Sequence, residues 1–375
     1  MGDPLGGRIL CHINLAKGYR GGERQAELLI RELAAQGTRQ HLVIRPGNPL
    51  RQRCNSVDGL SVSEAAGRSL GAAWLARSCD LLHAHEAQAF YAAALANLAF
   101  AKPYVLTRRV PNPQRPSWAR RTTYGRAGRL VGVSAAVADN VHQLYPDIDV
   151  AVVPDAHACL RADSATVTRI REQYAGKTLI GHFGALDDSH KGQRTLLGTA
   201  RLAVVDRPHW HFLLCGDGKD EDALKAEASD LPNVSFTGFV DNAGDYLASF
   251  DVFAFPSNFE ALGSSLLDAM YFGLPIVATN IGGIPEIVED GVNGWLISPG
   301  DADALFDRLD RVLTHADERA VMATANREKS GQYGAAAMAE AYVEIYREIC
   351  GAGGYFFKYL VPVVTVYLIG GLVLL

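Results

Sequence analysis

Glu260 and Asp268 stand eight residues apart in PSNFEALGSSLLDAMY. That is a little over two helical turns, so on one helix the two carboxylates would share a face. The intervening Ala261, Leu262, Gly263 and Ser264 would then form the helix entry, where free N–H groups attract phosphate or sugar oxygens. AKGYRGGERQ offers a second such entry, because Gly21 and Gly22 before a helical stretch permit close backbone approach and leave N–H groups exposed. Between Glu86 and Asp139 the chain has no acid but eight cations, among them Arg108, Arg109, Arg115, Arg120 and Arg121. Such a field favours an anionic partner. The two glycines also suit an ordinary turn, and the cations also suit a solvated face.

These residues need a scaffold that brings chain ends together. The 375 residues exceed what one core usually organises, and 48% hydrophobic with 21% charged residues is an ordinary globular balance, so two domains are expected. Short apolar segments (RILCHINL, HLVIRP, DLLHAH) alternate with helical stretches, and the rhythm restarts after residue 175 with TLIGHFG, HFLLCGDG, VSFTGF, DVFAFPS and PIVATN. Alternation of this kind predicts two doubly wound α/β domains with parallel sheets. The expected limits are 1–160, 161–335, a closing helix at 336–350, and an apolar tail at 351–375. The six scattered cysteines include no CxxC and no zinc-like spacing, and fit a reducing compartment.

The segment 256–297 as a whole resembles the E-x7-E signature and the following GlPVVat..GGipE block of family 4 retaining glycosyltransferases, which adopt the GT-B fold of two Rossmann-like domains facing across a cleft. The resemblance implies that Glu260 contacts the donor sugar and Asp268 the ribose hydroxyls, while the backbone of 261–264 serves sugar and diphosphate. Asp268 departs from the usual second Glu and is one methylene shorter. Gly21 and Gly22 match the family's first glycine-rich loop. His85 in DLLHAHE matches the histidine that faces the acceptor, and His83 is expected on the sheet's other face as a core residue. GHFGALDDSHKGQ resembles the block that supplies Gly184 and the diphosphate-neutralising Lys191. Ala185 stands where the family usually has Arg, leaving Arg20 or Arg194 as possible replacements. Gly216 and Gly218 of CGDG, and Phe239 of FTGFVDN, match the loops that frame the nucleotide.

The resemblance thus implies transfer of a sugar from a nucleotide-sugar donor to a glycan or glycolipid acceptor with retention, with neither metal nor cofactor and no nucleic-acid partner. VLTRRVPNP and GRLVGVSAAVADNV resemble branches that act on lipopolysaccharide core or related envelope lipids. Within the same fold, a non-catalytic nucleotide-sugar-binding scaffold and a sugar-nucleotide epimerase stand as alternatives. From Tyr355 to Leu375 only Lys358 is charged, and 21 helical residues would extend about 31 Å, the thickness of a bilayer's hydrocarbon. A C-terminal anchor, or peripheral attachment to the cytoplasmic face of a membrane, is therefore expected.

Overall fold

The computed structural model describes residues 2–111 and 115–351. The chain forms two compact units. Among the described residues, the first comprises the chain up to Arg109, the stretch ending at Asp155, and Ala335–Gly351; the second is built on Ala156–Gly334. The boundary therefore falls at 155/156 and not at 160. The helix Ala335–Gly351, expected as a separate closing element, is part of the first unit, where Tyr346 and Tyr342 hydrogen-bond to His83 and Thr107 at 2.7 Å each.

Seven strands build the first sheet: β1 (Ile9–Asn14), β2 (Arg39–Ile44), β3 (Leu60–Glu64), β4 (Leu81–Ala84), β5 (Tyr104–Arg108), β6 (Arg129–Gly132) and β7 (Val150–Val152). Their order is β3-β2-β1-β4-β5-β6-β7, with every pairing parallel. The second sheet holds β8 (Thr178–Phe183), β9 (Trp210–Cys215), β10 (Val234–Gly238), β11 (Val252–Phe255), β12 (Ile276–Thr279) and β13 (Gly294–Ile297). Its order is β10-β9-β8-β11-β12-β13, again parallel. Helices cover both faces of such a sheet, so its central strands carry continuous apolar runs and not alternating ones. β4, β5, β9, β11 and β12 are buried at every position for this reason.

Strand order reverses between β1 and β4 in the first sheet and between β8 and β11 in the second. Loops leaving the carboxyl ends of such a pair diverge, and the crevice they leave is where open α/β sheets bind ligands. Glu86 fastens one of these ends. Its carboxylate accepts from Leu15 N at 3.0 Å, from Gln88 N at 2.6 Å and from Ala89 N at 2.7 Å, capping the helix Ala87–Phe100 and tying it to the end of β1. No helix among the described residues is long and apolar enough to cross a membrane. The tail proposed as an anchor lies outside the described residues beyond Gly351.

Candidate active site

In the second unit, the loops after β8 and β11 bring Lys191 and Glu260 together as an ion pair, the side chains 22% and 14% exposed. Backbone contacts hold the two loops in register. His190 O accepts from Asn258 N at 2.8 Å and Phe259 N at 3.0 Å, and Asn258 Nδ2 donates to Asp188 O at 3.0 Å. Gly192 turns the chain at φ +65°, and a Cβ there would lie 2.0 Å from Pro256 O. Only glycine permits that approach. Lys191 Nζ also sits 5.1 Å from the centre of the Phe255 ring, on its face. A cation so braced is a preset partner for an anionic group, at little further ordering cost.

Glu260 and Asp268 do not share a helix. The helix runs Ser264–Tyr271, so Glu260 precedes it in an irregular turn whose N-cap is Gly263 at φ +102°. A left-handed glycine at that point ends any continuous helix back to 260. Ala261 and Leu262 are buried, Gly263 packs where a Cβ would meet Leu266 Cδ1 at 2.9 Å, and Ser264 opens the helix. Asp268 is buried on that helix, and its Oδ1 accepts from Ala158 N at 2.9 Å. Beside it His157 stacks on Tyr271 at 4.5 Å; burial lowers the His157 pKa and the Asp268 charge opposes that.

Gly184, Gly216 and Gly218 join two loops. Gly184 N donates to Cys215 O at 3.1 Å and Leu186 N to Asp217 O at 2.8 Å. A Cβ on Gly216 would stand 2.1 Å from Gly184 O, and one on Gly218 2.4 Å from Leu186 O. Their glycine identity follows from this loop packing. Phe239 follows β10 and is 61% exposed. Arg194, a possible replacement for the arginine absent at Ala185, is already paired with Asp188 at 2.8 Å and Glu227 at 2.6 Å. Gly282 opens the GGIPE stretch, where nothing local in the sequence marks it apart from Gly283. At φ +51° it backs directly onto Glu260, where a Cβ would be 1.9 Å from the Glu260 carbonyl oxygen. Gly282→Ala is therefore expected to displace Glu260. Gly300→Ala, at φ +77° with nothing nearby, carries only the left-handed strain of about 1 kcal/mol. Thermal melts and turnover of the two variants should differ, with Gly282→Ala losing at least tenfold in turnover and Gly300→Ala nearly none.

In the first unit Gly21 and Gly22 open the helix Gly21–Ala35, and Glu23 Oε2 accepts from the capping Arg20 N at 2.8 Å. His85 follows β4 and is buried against His83, their ring centres 4.0 Å apart. This corrects the expectation for His83: residues two apart on a strand point to the same face. His12 of β1 completes a buried cluster, with ligand-capable atoms of all three within 4.8 Å. Five of the six ring nitrogens already have partners. His12 Nδ1 meets His85 Nε2 at 2.9 Å and His12 Nε2 meets Gln40 Oε1 at 2.9 Å; His83 meets Tyr346 and Thr107. A metal would have to displace these bonds, so the cluster reads as a hydrogen-bonded ladder. Burial pushes His12 down to about 4 and His83 and His85 well below the usual histidine value, keeping the rings neutral.

The arginines expected to form one anionic-ligand surface are divided: Arg108 and the Arg109 side chain are buried, while Arg115 and Arg121 stay exposed and Arg120 half-exposed. β5 is a central strand, so Arg108 is buried and its NH1 donates to Tyr124 OH at 3.3 Å. Arg109 is paired with Asp155 at 2.8 Å, Arg121 with Asp147 at 2.9 Å, and Arg120 NH1 donates to Arg115 O at 2.8 Å. Charge runs are blind to which side of a sheet each residue takes.

Two family models match, one in each unit: Glycosyltransferase Family 4 over residues 19–156 and Glycosyl transferases group 1 over 177–315. The chain belongs to family 4 of the glycosyltransferases. This glycosyltransferase is 25% identical over 334 residues to the lipopolysaccharide core biosynthesis glycosyltransferase LpsE of Rhizobium meliloti, covering 87% of this chain and 95% of that one. It is 27% identical over 316 residues to alpha-maltose-1-phosphate synthase of Mycolicibacterium smegmatis, covering 73% of this chain and 80% of the relative. Its fold matches that of Anabaena HepE, solved in complex with UDP and glucose, with a TM-score of 0.79 and 20% identity over 90% of this chain and 98% of that one. The fold is GT-B.

Proposed function

We propose that this glycosyltransferase moves a sugar from a nucleotide-sugar donor to a glycan or glycolipid acceptor with retention of anomeric configuration, in the synthesis of lipopolysaccharide or related envelope polysaccharide. The observation that carries the reading is the Lys191–Glu260 pair clamped at the switch point of the second sheet. Lys191 would neutralise the donor diphosphate, the charge that grows as the nucleotide departs. Glu260 would hold the donor sugar, Asp268 the ribose, and the backbone of 261–264 with the loops at Gly184, Gly216, Gly218 and Phe239 the remainder. HepE with UDP and glucose supports a nucleotide-sugar donor, and LpsE supports an envelope acceptor. On the first unit Gly21, Gly22 and His85 would serve the reacting groups.

The test is product formation from UDP-glucose and other nucleotide sugars with a panel of lipopolysaccharide-core acceptors, the anomer of the product read by NMR. Donor and product anomers of the same sense support retention, and opposite sense overturns it. Because side chains and amides are assigned the phosphate charge, turnover is expected to survive EDTA. Loss with chelator and rescue by Mg2+ or Mn2+ would reverse that assignment. We further propose that the body works at the cytoplasmic face of a membrane, held by the apolar segment 355–375; full-length protein recovered in the soluble fraction without detergent would refute the anchor.

A further inference from the structure

We infer that the first unit holds a pocket, built from Asn14, His85 and Arg109, that recognises an oxyanion with a hydroxyl beside it. This deepens the proposed function, on which it rests, by naming the acceptor's chemistry. The three residues lie at the carboxyl ends of β1, β4 and β5, next to the reversal of strand order.

Arg109 is held rigid but not used up. Its Nε donates to Asp155 Oδ1 at 2.8 Å, its stem lies against Gly22, where a Cβ would sit 3.8 Å from Arg109 Cδ, and its side chain is 9% exposed. Yet NH1 and NH2 are buried with no hydrogen-bond partner. Two parallel N–H donors from one guanidinium match the two oxygens of a carboxylate or phosphate. Asn14 is fully buried, and Ala16 N donates to its Oδ1 at 3.2 Å, which fixes the orientation of the amide. That leaves Nδ2 as a donor without a partner.

His85 supplies the opposite polarity. Gln40 Nε2 donates to Ile30 O at 2.9 Å, so it is Oε1 that faces His12 Nε2 and accepts its hydrogen. His12 Nδ1 is then bare and accepts from His85 Nε2–H. In the neutral ring this leaves His85 Nδ1, buried and without a partner, as an acceptor only. It fits a hydroxyl hydrogen, not an anion. Burying a guanidinium fork and an amide donor unmet is costly, and an oxyanion meets both. Of the nearby acids, Asp155 accepts from Arg109 Nε and Glu23 Oε2 takes Arg20 N, and neither hydrogen-bonds NH1 or NH2.

The full chain, labelled with 15N-histidine, should be titrated with glycerol 3-phosphate, glycerate and glycerol. The His85 Nδ1 resonance is expected to move with at least one of the two oxyanions at a concentration at least tenfold lower than with glycerol, and the tighter oxyanion identifies phosphate or carboxylate as the group recognised. Arg109→Lys keeps a cation facing Asp155 but loses the fork, and Asn14→Asp keeps the acceptor for Ala16 N but adds repulsion. Each should weaken oxyanion binding at least tenfold with a near-parental melt. Equal response to all three probes, no response, or parental affinity in a folded Arg109→Lys protein overturns the pocket. Release of UDP from UDP-glucose is measured separately. Donor turnover without any probe response sinks the pocket alone, and probe response without turnover on any donor sinks the transfer reading alone.

Discussion

Lys191→Ala is expected to lower turnover at least tenfold at saturating donor while leaving the melting temperature close to that of the parent. A charge-assisted hydrogen bond contributes about 1.5 to 3 kcal/mol, and every 1.4 kcal/mol lost from the transition state alone is about tenfold in rate. The structure adds a reason for the effect to fall on chemistry more than on stability. Lys191 sits on a turn that is secured independently, by His190 O, Asn258 and the close packing of Gly192 against Pro256 O. Removing the side chain leaves that clamp intact. What it does leave is Glu260 without its cation, so Glu260→Gln is the companion variant: the amide fills the same space, and the loss should again appear in turnover. Initial rates over a range of donor concentrations, with calorimetric melts alongside, check both. Full activity of Lys191→Ala at limiting and at saturating donor would remove Lys191 from the site, and a melt lowered in proportion to activity would make the pair structural.

Much of this arrangement was legible in the residues because parallel α/β units announce themselves. Continuous apolar runs such as VFAF and LLHA arise from strands buried on both faces, and glycine-rich turns mark their ends. The pairing of Lys191 with Glu260 was less accessible, since it depends on how two loops 69 residues apart pack at one reversal of strand order. Three readings failed for physical reasons. Eight-residue spacing suggested one helix, but Gly263 in the left-handed region lets the helix begin only at Ser264. The acid-free run suggested one cationic face, but Arg108 belongs to a buried strand and the Arg109 side chain is paired below the surface, so only part of the run, including Arg115 and Arg121, is exposed. His83 was assigned to the wrong face, although period-2 alternation in LLHAH groups it with His85. Neither Asn14 nor the Gln40–His12 link to His85 carried any local signal, because β2 and β4 reach β1 from distant parts of the chain.

Stability is expected to fall steeply as pH drops from 7 to about 4.5, with the first unit failing before the second. Burial holds the His12 pKa at about 4 against an unfolded value of about 6.5, and it holds His83 and His85 well below that value as well. Below pH 6.5 the unfolded chain binds protons that the folded rings refuse. Unfolding therefore takes up protons, and acid pulls the equilibrium toward the unfolded state. For His12 alone the cost between pH 7 and pH 5 is about 2 kcal/mol, a large fraction of the 5 to 15 kcal/mol that usually separates folded from unfolded. His83 and His85 add losses of the same sign. The second unit carries one such fully buried ring, His182, which burial also brings to about 4. Carboxylates held low, such as Asp187 and Glu227, act in a separate window: their contribution persists down to the ordinary carboxylate range and is lost only below it. The decline above pH 4.5 thus belongs to histidine. Calorimetry across this range should show the transition of the first unit moving to lower temperature faster than that of the second. His12→Gln should flatten the first unit's dependence by about one proton. A melting temperature unchanged between pH 7 and pH 5 would mean that the buried rings are not held neutral.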